Sequence, residues 1–162
     1  MLQKVYIMMG ETGPKRTCMK KALFWIAIII IPLVDGLAVY LLFRPSAMIS
    51  KLIYSFFNIT PLHIATPENI FWNFIKYYLC DFLWAFSLAA LSKLLLGNGK
   101  LQSTIVLLIV IFTGFVIEIL QKYSFISGTF DVLDFFVEAI GAILSIIIIS
   151  YSRRNENEQQ IS

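Results

Sequence analysis

Charge is scarce in this chain. Only 14% of its 162 residues are Asp, Glu, Lys or Arg, and 59% are hydrophobic. A soluble domain averages about 25% charged and about 45–50% apolar residues. The deficit excludes an ordinary water-soluble domain, and a mean hydropathy of +0.80 points to an integral membrane protein. The net charge of +3 is too small to argue for nucleic acid, so no nucleic-acid partner is expected. Cysteine is nearly absent. Cys18 lies in a basic N-terminal stretch and Cys80 inside an apolar segment, which excludes a disulfide framework. A single histidine, His63, leaves no Cys/His metal spacing. It falls in a loop and reads as a solvated or capping residue.

What the chain has instead is long apolar runs, and they predict an all-α polytopic membrane protein with four transmembrane helices and a short interfacial helix. About 20 helical residues cross a bilayer core, and the spans fall at about 22–43, 76–96, 102–122 and 128–151. The first is too long for a signal peptide and ends at Phe43-Arg44-Pro45 without a small-residue cleavage site. Pro32 within it removes a backbone donor and predicts a kink. Residues 1–21 form a basic N-terminal segment in which Met8, Met9 and Met19 are alternative starts to Met1, and residues 152–162 form a polar tail. Between the first two spans, Met48, Ile49, Leu52, Ile53, Phe56 and Phe57 recur at helical spacing around Ser50, Lys51 and Ser55. That pattern predicts a helix lying in the membrane interface. Thr60-Pro61 and Thr66-Pro67 then break it.

Positive charge sets the topology. With four spans, Lys4, Lys15, Arg16, Lys20, Lys21, Lys93, Lys100, Arg153 and Arg154 share one side, and Arg44, Lys51, Lys76 and Lys122 share the other. The richer side is expected to be cytoplasmic, with both termini on it, in the cytoplasmic (inner) membrane of a bacterium.

Against this background six carboxylates stand out, because an ionisable group in hydrocarbon is costly. At a rise of about 1.5 Å per residue, Asp131, Asp134 and Glu138 fall roughly 4, 9 and 15 Å from the outer end of the fourth span. Glu118, Asp81 and Asp35 fall roughly 6, 7 and 12 Å from the outer ends of theirs. All six are expected in the outer half of the membrane. Residues 3, 4 or 7 apart share a helix face. One stripe holds Asp131, Asp134, Glu138, Gly141 or Ala142, and Ser145. A second holds Gly114, Glu118 and Gln121, and a third Asp81, Ala85, Leu88 and Ser92. Each runs into small residues that let helices approach closely, so the acids are expected to face one another in a pocket open to the outside. Such a pocket has three readings. Glu118, Asp134 and Glu138 with Gln121 would hold a divalent cation such as Mg²⁺ through oxygen ligands. Alternatively the acids share protons in proton-coupled binding or transport. In the third reading, protonated carboxyls hydrogen-bond across helices and specify packing. Asp131, in the first turn of the fourth helix, also suits a capping role. Trp25, Trp72 and Trp84 read as packing and interfacial anchors.

The segments Glu118-Ile-Leu-Gln121, Gly128-Thr-Phe-Asp131-Val-Leu-Asp134 and Glu138-Ala-Ile-Gly141 resemble the VanZ-like family of small polytopic bacterial membrane proteins. The resemblance covers residues 68–151 and rests on Glu118, Gln121, Asp134 and Gly141, which match the family pattern position for position. Thr129 stands where the family usually has Arg, and Glu138 where it usually has Asn. Asp81-Phe-Leu-Trp84 is similar to a subgroup with an acid in the preceding helix. The resemblance implies an envelope role, associated in the family's best-known member with teicoplanin-type glycopeptide resistance. It ranks Glu118, Gln121 and Asp134 first in the expected binding set; the residue pattern adds Glu138 and Asp81, with Asp35, Asp131 and Gly141 in support. The loss of the Arg and the gain of Glu138 tilt that set toward a cation or a cationic group. The implied partners are membrane lipid and an envelope ligand on the outer face. The alternatives are a membrane enzyme acting on a lipid-linked substrate, and a small transporter or membrane subunit built by oligomerisation.

Overall fold

The computed structural model describes residues 13–61, 64, 67–97, 99–126 and 131–161, of which 13–21, 48 and 155–161 are described by backbone alone. His63, Gly128 and Thr129 lie outside the described residues. Among the described residues five helices follow in order: α1 (Gly13–Phe43), α2 (Met48–Phe57), α3 (Ile70–Leu96), α4 (Lys100–Lys122) and α5 (Val132–Ile161). Among the described residues there is no strand. Four of the helices are long and apolar enough to cross a membrane, over Ala22–Phe43, Ile70–Leu96, Lys100–Lys122 and Val132–Arg154.

Two boundaries differ from those expected. α1 begins within the basic N-terminal segment and runs through Pro32 as one helix. α3 starts at Ile70 and so includes the span expected at 76–96, and Asn69 caps it: Asn69 Oδ1 accepts the Trp72 N–H at 2.9 Å. α5 continues to Ile161, so the polar tail extends the last helix. Hydropathy locates hydrocarbon, whereas backbone hydrogen bonding carries a helix on into water.

α3 is the central element. Its most extensive packing is with α5, and its other face receives α1 and α4. The reason lies in its side chains. Ala85, Ala89 and Ala90 are buried completely, and with Val106 and Val110 of α4 and Ala142 of α5 they form the core. In lipid no hydrophobic gradient drives helices together, so short side chains that allow close packing replace it. Two glycines mark the closest approaches. A Cβ on Gly141 would stand 2.6 Å from the carbonyl oxygen of Phe82, so α5 crosses α3 nearly backbone to backbone. A Cβ on Gly36 of α1 would meet Leu83 and Cys80 at 3.6–3.7 Å, an ordinary contact. There the thiol of Cys80 donates to the Gly36 carbonyl at 3.3 Å.

The two ends of the bundle are closed differently. At one end α3 stops at Gly97, whose φ of +89° suits glycine alone, and its N–H bonds the Lys93 carbonyl at 3.0 Å. Here Lys93 is fully buried and its ammonium donates to Ser103 Oγ at 2.8 Å, tying α3 to α4. At the other end α2 folds back on the last turn of α1. Buried Ser50 Oγ donates to the Tyr40 carbonyl at 3.1 Å and Tyr54 Oη to the Leu41 carbonyl at 2.6 Å. Its apolar face, with Ile49, Leu52, Phe56 and Phe57, stays exposed to the surroundings, the amphipathic arrangement expected of a helix at a lipid interface.

Gly141→Ala is expected to destabilise the bundle by about 1–3 kcal/mol through backbone overpacking. Gly36→Ala is expected to be neutral, or to gain up to about 1 kcal/mol of helix propensity. Unfolding midpoints of the purified variants in detergent check the contrast; equal midpoints would contradict the α3–α5 crossing.

Candidate functional site

The acid stripes converge at the end of the bundle where α1 stops and α5 starts. A cavity of about 390 Å³ opens there, and Asp81, Glu118, Gln121, Asp131, Asp134 and Glu138 all line it. α3 supplies the first, α4 the next two, and α5 with the residue preceding it the rest. The three expected polar stripes therefore face one another.

Asp131 is the hinge of the arrangement. It immediately precedes α5 and caps it: Oδ1 accepts the Leu133 N–H at 2.9 Å. Its other oxygen, Oδ2, accepts the Tyr78 hydroxyl of α3 at 3.0 Å. Its own N–H donates to Glu118 Oε2 of α4 at 3.1 Å. One residue thus ties three helices at the cavity wall, and the expected capping role and a site role coincide. Glu118 is buried, 5% exposed, and lines the cavity together with Asp134.

Glu138 lies one turn deeper on α5. It is 7% exposed and its Oε2 is buried without a hydrogen-bond partner. The carboxyl sits against the α carbon of Gly114, where any Cβ would overlap it. Gly114 therefore makes the seat for Glu138, which explains its place in the Glu118 stripe. A buried polar atom left unpaired costs about 1–3 kcal/mol, and Oε2 stands in that position beside Gly114.

Two expectations are corrected. Asp35 is exposed on α1 and does not line the cavity. Gly36 faces α3 and Tyr40, one turn on, lines the cavity, so Asp35 falls about 100° off that face. The metal set is not assembled either. Among the described residues no three His, Cys, Asp or Glu side chains converge closely enough to hold a metal ion. Glu118 Oε2 accepts the Asp131 N–H, while the Glu138 carboxyl is seated against Gly114. Gly141 serves the α3–α5 crossing and does not line the cavity.

The cavity also holds residues that sequence reasoning did not assign to it: Tyr40, Arg44, Tyr77, Tyr78 and Trp84. Arg44 is the notable one. Its guanidinium lies between two rings, 5.2 Å from the centroid of Tyr40 and 5.7 Å from that of Tyr77, a cation–π geometry. The spacing of Gly36, Tyr40 and Arg44, four residues each, was the available signal. The tyrosines are placed by a π-helical turn at Ile75–Leu79, which widens α3 and lets Tyr77, Tyr78 and Asp81 reach the same cavity. Such turns commonly mark functional positions.

Comparison with known protein families, with curated proteins and with solved structures finds no match.

Tyr78→Phe removes one hydrogen bond and is expected to cost about 0.5–1.5 kcal/mol. Asp131→Ala removes that bond and the cap together and is expected to cost more, because the cap alone contributes about 0.5–2 kcal/mol. Unfolding of the two variants and their double mutant in detergent checks this; the double mutant should cost no more than Asp131→Ala.

Proposed function

We propose that this chain is a VanZ-like integral membrane protein of the bacterial cell envelope, whose acidic cavity opens on the outer face of the cytoplasmic membrane and binds an envelope ligand. The observation that carries the reading is Glu138: a buried carboxyl with an unpaired oxygen, beside Glu118 and Asp134, in a cavity open at one end. Membrane helices rarely retain ionisable groups without a functional partner, and three on facing helices form a receptor for hydrogen-bond donors. The resemblance in Glu118, Gln121, Asp134 and Gly141 supports the family, and the position of those first three residues in one cavity supports a common role for them.

Orientation rests on the distribution of Lys and Arg. The cavity end carries Arg44, Lys51, Lys76 and Lys122, and the opposite end carries Lys93, Lys100, Arg153 and Arg154 together with the basic N-terminal segment. The richer end belongs in the cytoplasm, which turns the cavity outward. Arg44 also changes the family comparison. Thr129 lacks the guanidinium usual at its position, and α1 brings one to the cavity from elsewhere in the chain. The ligand therefore carries both a donor-rich or cationic part and an anionic or electron-rich part. A catalytic reading on a lipid-linked substrate would use Asp134 and Glu118, which line the same cavity, as general acid and base.

In cells bearing the native chain, Glu118→Gln, Asp134→Asn and Gln121→Ala are each expected to abolish its effect on glycopeptide susceptibility at unchanged protein level. Wild-type behaviour in all three would sink the reading. For topology, reporter domains fused at Gly99 and Ser162 should be active on the cytoplasmic side, and one fused at Glu68 on the outer side.

A further inference from the structure

A second, shallower recess adjoins the acidic cavity and has the opposite character. It is lined by Phe43, Arg44, Pro45, Ser46, Lys76 and Tyr77 and encloses about 370 Å³. Arg44 and Tyr77 belong to both spaces. Lys76 Nζ lies 5.3 Å from the centroid of the Tyr77 ring, and the Arg44 guanidinium lies 5.7 Å from the same centroid. Two cations therefore lie against one ring at the mouth, and among the described residues no carboxylate lines the recess they share. Behind them the acids run inward, with Asp81 five residues past Lys76 on α3, roughly 7 Å deeper, and Glu138 beyond it.

We infer that the paired spaces form a bipolar site for the headgroup of a zwitterionic aminophospholipid. Its phosphate sits between Arg44 and Lys76, and its primary ammonium points inward to Glu138 and Asp134. The inference rests on the envelope-ligand reading and names the ligand's chemical class. Three features select this class. Arg and Lys without a carboxylate partner are phosphate ligands. The Glu138 carboxyl, buried at the cavity wall, suits an N–H donor, which an ammonium has and a trimethylammonium lacks. The recess lies beside the exposed apolar face of α2 and the aromatic residues at the start of α3, where lipid headgroups gather. A lipid can thus present its headgroup sideways with its chains left in the bilayer.

The test uses the purified full chain in detergent, with native mass spectrometry against phosphatidylethanolamine, phosphatidylglycerol and phosphatidylcholine of identical chains. Phosphatidylethanolamine is expected to bind at least tenfold tighter than the other two. Glu138→Gln and Asp134→Asn should erase that preference without weakening phosphatidylglycerol. Arg44→Gln and Lys76→Gln should weaken both lipids by a similar factor. Helical content and elution volume of each variant report folding, and the wild-type selectivity stands as a test that needs no variant. Equal binding of phosphatidylethanolamine and phosphatidylglycerol would overturn the inference, as would tighter phosphatidylcholine binding or a preference untouched by the acid substitutions. Soluble glycerophosphoethanolamine binding as tightly as the lipid would overturn the lipid as the source. If selectivity is absent while the Glu118, Gln121 and Asp134 variants still lose the cellular effect, the bipolar site falls and the envelope-ligand reading stands.

Discussion

The structure depends on one close approach, the crossing of α5 over α3 at Gly141 and the Phe82 carbonyl. Apolar side chains gain nothing by leaving lipid for one another, so association rests on dispersion contacts that fall off within an ångström. A side chain at position 141 would hold the backbones apart and loosen Ala85, Ala89 and Ala142, whose complete burial requires that spacing. The site inherits the same constraint. Glu138 is one turn from Gly141 on the same face, so the rotation that brings Gly141 onto α3 also turns Glu138 into the bundle. Gly114 then clears the space that its carboxyl occupies. Packing glycines and buried acids belong to one geometric solution.

Much of this was legible in the chain because helical periodicity is a strong signal in an apolar background. The stripes through Glu118, Asp134 and Glu138 could be drawn without coordinates, since a polar residue among Ile and Phe is conspicuous and its neighbours three and four away fix its face. Asp35 shows where that logic fails. Depth and residue type placed it with the other acids, but depth is independent of azimuth. The discriminating pattern was the four-residue repeat of Gly36, Tyr40 and Arg44, which puts Asp35 off the contact face. The π-turn at Ile75–Leu79 was not legible at all. It depends on whether one extra residue can be held in a helical turn by tertiary contacts, and no local pattern encodes that. Its consequence is large, because it delivers Tyr77 and Tyr78 to the cavity and so provides both the ring shared by Arg44 and Lys76 and the hydroxyl bonded to Asp131.

Arg44 shows how a single residue can carry two kinds of information. Counted as a charge it marks one side of the membrane, and that count ignores where its side chain goes. An arginine at a helix end in the interface has the length to bend back along the protein, and here the rings of Tyr40 and Tyr77 hold it over the cavity. Arg44 and Asp81 line the same cavity, and among the described residues no direct ion pair joins them. A direct pair would have closed the cavity and left a self-satisfied structural contact. Separation keeps both charges available to a third party. A layered arrangement of cations at the mouth and carboxylates beneath disfavours a simple anion, which the acids repel, and a simple cation, which must pass the mouth. It favours a molecule whose own charges are ordered in the same sense, anion outward and donor inward, and in a bilayer interface the abundant molecules with ordered charges are the lipids themselves.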